Sequence, residues 1–341
     1  MSDHPDKITA MDVARLAGVS QSAVSRVFTP GASASPRTIE KVRAAAAELG
    51  YRPDLLARAM ITGRTRIIGL VVAYLENQFY PVVIQQLSRA LQERGYHILV
   101  FMAESSTIKV AEVIRELTDY RVDGIVAASV AMTNDLTAHL KALGIPLVLF
   151  NRGQDDADLV EVTSDNVAGG RRAAEFLIQG GHRRIAHIMG WQNASTGRDR
   201  AEGFRQALAA AGLEPHSMID GAYSRDRASA ATRDLFLGQD RPDAIFVGND
   251  HMAFAVMDVL RFSMGLRVPG DVSVIGYDDV PIAAWPAYDL TTIRQPVNRM
   301  VEMTVEALLG QIEGRAGPVK TRIDGPLVVR SSARLPEGYT A

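Results

Sequence analysis

From Ile67 onward the chain alternates two hydrophobic patterns. Short continuous apolar runs appear at "IIGLVVAYL" (67–75), "HILVFMA" (97–103), "GIVAASV" (124–130), "PLVLFN" (146–151), "RIAHIMG" (184–190), "AIFVGND" (244–250) and "VSVIGYDD" (272–279). Between them lie stretches with helical spacing, such as "YPVVIQQLSRALQERG" and "GGRRAAEFLIQGG". Continuous apolar runs predict strands buried on both faces, and their alternation with helices predicts parallel sheets sandwiched by helices. About 270 residues is long for one doubly wound sheet, so two α/β lobes are expected. Ligands of such sheets sit beyond the carboxyl ends of the strands. The polar ends Asn151-Arg152, Asn249-Asp250 and Asp278-Asp279 mark where a site is expected.

Before Ile67 the pattern is wholly helical. Thr9 and Asp12 have capping-box spacing ahead of "VARLA", and Gly18 ends that helix. Ser20 caps a second helix running to about Phe28. "TPGASAS" reads as a loop. Ser35-Pro36 opens a third helix, "RTIEKVRAAAAEL", which Gly50 closes. Val13, Ala14, Leu16, Val19, Val24 and Val27 form the expected inner face. "YRPDLLARAMITGRTR" reads as a linker with helical tendency, its short helix spanning Asp54 to Ile61 after Pro53.

Composition changes this picture little, charge somewhat more. The apolar fraction, 47%, is that of an ordinary globular chain. No apolar run approaches the roughly 20 residues that span a bilayer. The polar start "MSDHPDK" has no apolar signal-peptide core, so a cytoplasmic protein with no membrane partner is expected. Without cysteine, disulfides, thiolate metal sites and cysteine nucleophiles are excluded together. Residues 1–65 carry nine Lys/Arg and six Asp/Glu; the remainder carries 28 and 33. A basic head on an acidic body hints at a polyanionic partner for the head.

Several stretches, in order, resemble the LacI/GalR family of bacterial transcription repressors. "ITAMDVARLAGVSQSAVSRVF" is similar to its helix-turn-helix signature, and "EKVRAAAAELGYRPDLLARAMITGRTRIIGLVV" to the stretch joining third helix to first effector-domain strand. "ENQFYP", "VDGIV", "IPLVLFNR", "SDNVAGGRRAAEFLIQGGHRRIAHI", "RAEGFRQAL", "VGNDHMAF" and "GLRVPGDVSVIGYDDVP…LTTIRQP" resemble its later landmarks. The resemblance implies an all-α helix-turn-helix domain (1–52), a hinge helix or linker (53–65) and a two-lobed, periplasmic-binding-protein-like effector and dimerisation domain (66–341) with two parallel, Rossmann-like sheets. Its N-lobe is expected at about 66–162 and 291–320, its C-lobe at about 163–290 and 321–334. It further implies a homodimer binding palindromic double-stranded operator DNA, through the major groove and the central minor groove, under control of a small-molecule effector. "SSARLPEGYTA" at the C-terminus shows no leucine heptad, which favours a dimer over a tail-zippered tetramer.

The same resemblance assigns roles. Gln21 and Ser22 become the main base readers, with Arg26 one turn on; Gln suits adenine and Arg guanine. Ala23 contacts a thymine methyl or allows close approach, and Ser20 and Ser25 hold phosphates. Met60, where the family usually has leucine, becomes the apolar wedge in the minor groove, with Ala57 one turn earlier. For the effector, Phe79, Tyr80, Asp165, Arg200, Tyr223, Asn249, Asp250 and Asp278 are carried over. Carboxylates, Asn, an Arg donor and aromatic plates suit a polyhydroxylated ligand such as a sugar; an exposed Arg also suits a sugar phosphate, an acid or a purine. The family's usual Asp after the first strand is replaced by Tyr74 or Leu75, and Trp285 is placed to line the cleft, giving a more aromatic pocket.

Other functions fit less well. A periplasmic solute-binding protein shares the body but has no helix-turn-helix. There is no G-x-S-x-G elbow, P-loop or G-x-G-x-x-G for an enzyme, and the seven histidines show no metal-ligand spacing. Asp278 and Asp279 are adjacent on a strand, so they face opposite ways and form no carboxylate dyad. No cofactor, metal or catalytic residue is expected.

Overall fold

The computed structural model describes residues 8–28, 32–52, 63–103, 107–130, 132–154, 158–315, 317 and 319–339. The chain divides into two units, Met1–Thr65 and Arg66–Ala341.

In the first unit, α1 spans Ala10–Ala17, α2 Gln21–Phe28 and α3 Pro36–Leu49. Each start is set by a side chain. Thr9 and Asp12 cap reciprocally, the Thr9 hydroxyl accepting from the Asp12 amide and the Asp12 carboxylate from the Thr9 amide at 2.9 Å. The hydroxyls of Ser20 and Ser35 accept from the amides of Ala23 and Thr38. Gly18 and Gly50 end α1 and α3 at φ 64° and 66°, where a side chain would be strained. Val13, Ala14, Ala17, Val24, Val42, Ala45 and Ala46 form the core, with Val19 and Val27 at its edge. Leu16 departs from the expected inner face: it is 46% exposed. The buried stripe of α1 centres on Val13, Ala14 and Ala17, and at 3.6 residues per turn Leu16 points about 100° away from it. The linker helix expected at 54–61, with Ala57 and Met60, lies outside the described residues.

The second unit holds two six-stranded sheets. In chain order its elements begin β1 (Ile67–Val72), α4 (Phe79–Glu93), β2 (His97–Met102), α5 (Thr107–Asp119), β3 (Gly124–Ala128), α6 (Asn134–Ala142), β4 (Leu147–Phe150) and β5 (Val160–Ser164). There follow α7 (Asn166–Gln179), β6 (Ile185–Met189), α8 (Ser195–Ala210), β7 (Ser217–Asp220), α9 (Arg225–Leu235), β8 (Ala244–Val247), α10 (Asp250–Asp258) and β9 (Ser273–Asp278). The chain closes with β10 (Thr291–Arg294), α11 (Val297–Ile312), β11 (Lys320–Ile323) and β12 (Leu327–Val328). The first sheet is ordered β11-β5-β4-β3-β1-β2 and all its pairs are parallel. The second is ordered β12-β10-β9-β8-β6-β7, with only the β12 edge antiparallel. Central β3, β4, β6 and β8 are buried throughout, which is why they read as unbroken apolar runs.

The return segments switch lobes differently from the sequence reading. Residues 291–294, expected in the first lobe, pair with β9 in the second sheet, and 320–323, expected largely in the second lobe, pair with β5 in the first. Side-chain contacts accompany this placement. In β10, buried Thr291 and Thr292 bond to Arg330 and Asp250 of the second lobe, while Lys320 of β11 reaches Glu161 of β5.

Candidate functional site

Both sheets reverse their strand order at a switch point, between β1 and β3 in the first and between β6 and β8 in the second. A crevice opens beyond the carboxyl ends there. Backbone geometry marks the same place. Ser129, Asn151, Ala222, Tyr223, Asp278 and Asp279 follow or end β3, β4, β7 and β9, and all have φ between 49° and 124°. Non-glycine residues are held at positive φ only where surrounding structure enforces it, and such strain clusters at binding sites.

The deep part of the cleft is built on Arg200. Gly203 sits where a Cβ would collide with the Val167 carbonyl, so α7 and α8 cross closely and bring Arg200 beside Asn166. Only 2% of Arg200 is exposed. Its Nε donates to Asn166 Oδ1 at 2.8 Å and its Nη1 to the Gly248 carbonyl at 2.6 Å. The guanidinium lies 3.6 Å above the Tyr277 ring and 3.7 Å from Asp278 Oδ1. Asp278 also accepts from Gln295 Nε2 at 2.7 Å and, across the lobes, from Asn77 Nδ2 at 3.1 Å. Burial pushes the Asp278 carboxyl above the ordinary carboxylate range, while Arg200, Gln295 and Asn77 pull it back. Asn77, Tyr80, Asn151, Thr196, Tyr223 and Asn249 complete this inner chamber, which is closed to about 10 Å³. Burial raises the Tyr74 and Tyr80 hydroxyls above the usual tyrosine value, keeping both neutral donors. Asn151 Oδ1 is a buried acceptor without a partner among the described residues.

Outside it opens a chamber of about 640 Å³, walled by Tyr74, Arg152, Trp191, Tyr223, Arg225 and His251. Tyr223 is anchored by a 2.8 Å hydrogen bond to Thr196. Arg152, at the end of β4, lies 5.4 Å over the ring of Trp191, just past β6.

Of the eight effector positions expected from sequence, Tyr80, Arg200, Tyr223, Asn249 and Asp278 line this cleft. Three do not. Phe79 packs on Phe150 and Tyr80 and faces a separate cavity of about 620 Å³ with Gln295 and Arg299. The Asp165 carboxylate caps α7, accepting from the Ala168 amide. Asp250 is fully buried and accepts from the Val280 amide at 2.9 Å and Thr292 Oγ1 at 2.6 Å; burial, then Asp278, holds its carboxyl well above the ordinary range. A carboxylate whose oxygens are both engaged locally fixes the β9 turn rather than a ligand. Trp285 is 55% exposed and does not line the cleft. Sequence reasoning assigned no role to Asn77, Arg152, Trp191 and Thr196. Arg152 had a signal, since it ends one of the runs whose polar tails marked the site.

On α2, Gln21, Ser22, Ser25 and Arg26 are exposed along one face, next to Ser20. Ser20 Oγ lies 2.9 Å from Ser22 Oγ. Ala23 is only 9% exposed and turns inward.

A helix-turn-helix unit joined to a two-lobed body with a cleft at its strand ends defines a ligand-responsive DNA-binding regulator. Residues 9–54 match the bacterial regulatory proteins of the lacI family, and 174–333 match the periplasmic binding protein-like domain. The HTH-type transcriptional regulator CelR of Thermobifida fusca is 37% identical over 331 residues, covering 94% of this chain and 96% of that protein. The HTH-type transcriptional repressor PurR of Photobacterium profundum is 33% identical over 331 residues, covering 96% and 98%. Among solved structures, the lac repressor dimer bound to operator and the anti-inducer ONPF superimposes with a TM-score of 0.87 at 27% identity, covering 96% and 99%. The CelR–cellobiose complex superimposes with a TM-score of 0.72 at 34% identity, covering 96% and 100%. The chain belongs to the LacI family, and it is a DNA-binding transcriptional regulator. The two relatives are regulators rather than enzymes.

Proposed function

We propose that this chain is a homodimeric repressor that acts in the cytoplasm, on the nucleoid, and releases or grips a palindromic operator according to a carbohydrate held between its lobes. It catalyses no reaction. The reading rests above all on Asp278, which is bonded at once to Arg200 and, across the cleft, to Asn77. A hydroxylated ligand that competes for these groups exchanges an interlobe bond for its own and resets the lobe spacing. Differential bonding of this kind is what lets a ligand shift a conformational equilibrium. Cellobiose in the CelR complex supports the carbohydrate class. In the head, Gln21, Ser22 and Arg26 read bases and Ser20 and Ser25 hold phosphates; Ala57 and Met60 enter the minor groove. Domain limits near 52 and 65 suit these roles.

The test is fluorescence anisotropy of a labelled operator, selected from random duplexes by the full-length protein, titrated with a panel of neutral mono- and disaccharides. At least one sugar is expected to change operator affinity by about tenfold or more, within the usual range of allosteric coupling. A panel in which no sugar either shifts operator affinity or raises Tm contradicts the reading.

A further inference from the structure

The outer chamber is lined by three arginines, Arg152, Arg225 and Arg227, and by two carboxylates, Glu76 and Asp226. Arg200 is matched by Asp278 at 3.7 Å and Arg225 by Asp258 at 3.3 Å. Arg152 has no carboxylate partner among the described residues. Its Nε is buried without a hydrogen bond among the described residues, and its guanidinium rests over Trp191 at 5.4 Å. A buried donor left unmade is costly, so an acceptor delivered there by a ligand is gained at nearly full value. The planar guanidinium fork suits carboxylate or phosphate oxygens, which take two of its N–H groups together. The chamber is also large. At about 640 Å³ it exceeds what one sugar ring requires, and Tyr74, Trp191 and Tyr223 give it flat walls on which a second ring can lie.

We propose that the outer chamber is a second subsite, which takes an anionic unit of a disaccharide-sized effector. The uncharged ring lies against the inner residues around Arg200 and Asp278. The carboxylate or phosphate of the outer ring pairs with Arg152. Because Arg152 belongs to the first lobe and Trp191 to the second, the anion is held where the two lobes meet. This inference rests on the carbohydrate reading of the cleft given above.

Isothermal titration calorimetry of the full-length protein tests it with four probes: cellobiose, cellobionate, cellobiouronate and cellobiose 6′-phosphate. At least one anionic disaccharide is expected to bind about 10- to 100-fold tighter than cellobiose, the size of one charge-assisted hydrogen-bonded pair. The acid or phosphate that gains most identifies the anion. Arg152→Gln is expected to remove the advantage of the anionic probes over cellobiose, because the charge that they pair with is gone. Arg152→Lys is expected to keep part of it, because the charge survives and the fork does not. The proposal is overturned if cellobiose binds the native protein as tightly as every anionic probe, or if Arg152→Gln weakens all four alike. Either result leaves the carbohydrate reading standing. If no probe and no neutral sugar binds, that reading fails and takes the proposal with it.

Discussion

The helical unit and the interlobe cleft present their candidate functional side chains in opposite ways. On α2, Gln21, Ser22, Ser25 and Arg26 are exposed, and they come from one helix of eight residues. In the cleft, Arg200, Asn249 and Asp278 are between 1% and 3% exposed, and they come from three elements of the second lobe, meeting Asn77 from the first. The difference follows from the partners. A DNA groove is large and preformed, so its reader must protrude. A small ligand must be enclosed, so its binders must be buried and therefore bonded to each other before it arrives. Substitutions in the head should therefore change recognition without changing stability, whereas substitutions in the cleft should change both.

The most drastic way to break the comparison is to remove one side of it. Deleting residues 1–62 is expected to abolish operator binding in an anisotropy assay while leaving effector-induced thermal stabilisation in place. Loss of both would show that the body depends on the head. Next in size is Arg200→Ala, which leaves Asp278 buried without its counter-charge. A denaturant melt should show a loss of roughly 3–5 kcal/mol, and effector response should vanish. Unchanged stability with normal induction would remove Arg200 from the cleft's framework. The smallest effect is expected at Gln21→Ala. It should relax preference at one operator position by about 1–3 kcal/mol and leave the melt unchanged. Equal weakening on every sequence would mean that Gln21 reads no base.

The fold was legible wherever periodicity and capping were strong. The three helices of the head stand out because their ends carry Ser, Thr, Pro or Gly, and the six interior strands β1, β3, β4, β6, β8 and β9 because their burial is nearly uniform; β2 was legible from its apolar run although it is an edge strand and largely exposed. The strands that escaped notice, such as β5, β7, β10 and β11, are short and mix polar with apolar residues. Buried Thr291 and Thr292 are satisfied by partners some 40 residues away in sequence, which no local pattern reveals. The candidate site divides the same way. Resemblance led to Arg200, Tyr223 and Asp278. It also led to Asp165 and Asp250, whose positions are right for the region but whose carboxylates are engaged in capping and turn bonds.

The sequence by itself determined that the chain has a head of three capped helices and a strand-and-helix body that belongs with ligand-binding folds. Helix caps and apolar periods act over a few residues, so they survive in a one-dimensional reading. Only the tertiary structure decided which polar side chains meet. Asn77 reaches Asp278 across 201 positions, and Arg152 comes to lie over Trp191. Such meetings depend on strand order and on helices approaching closely enough, as α7 and α8 do through Gly203, and those are properties of packing rather than of any local stretch.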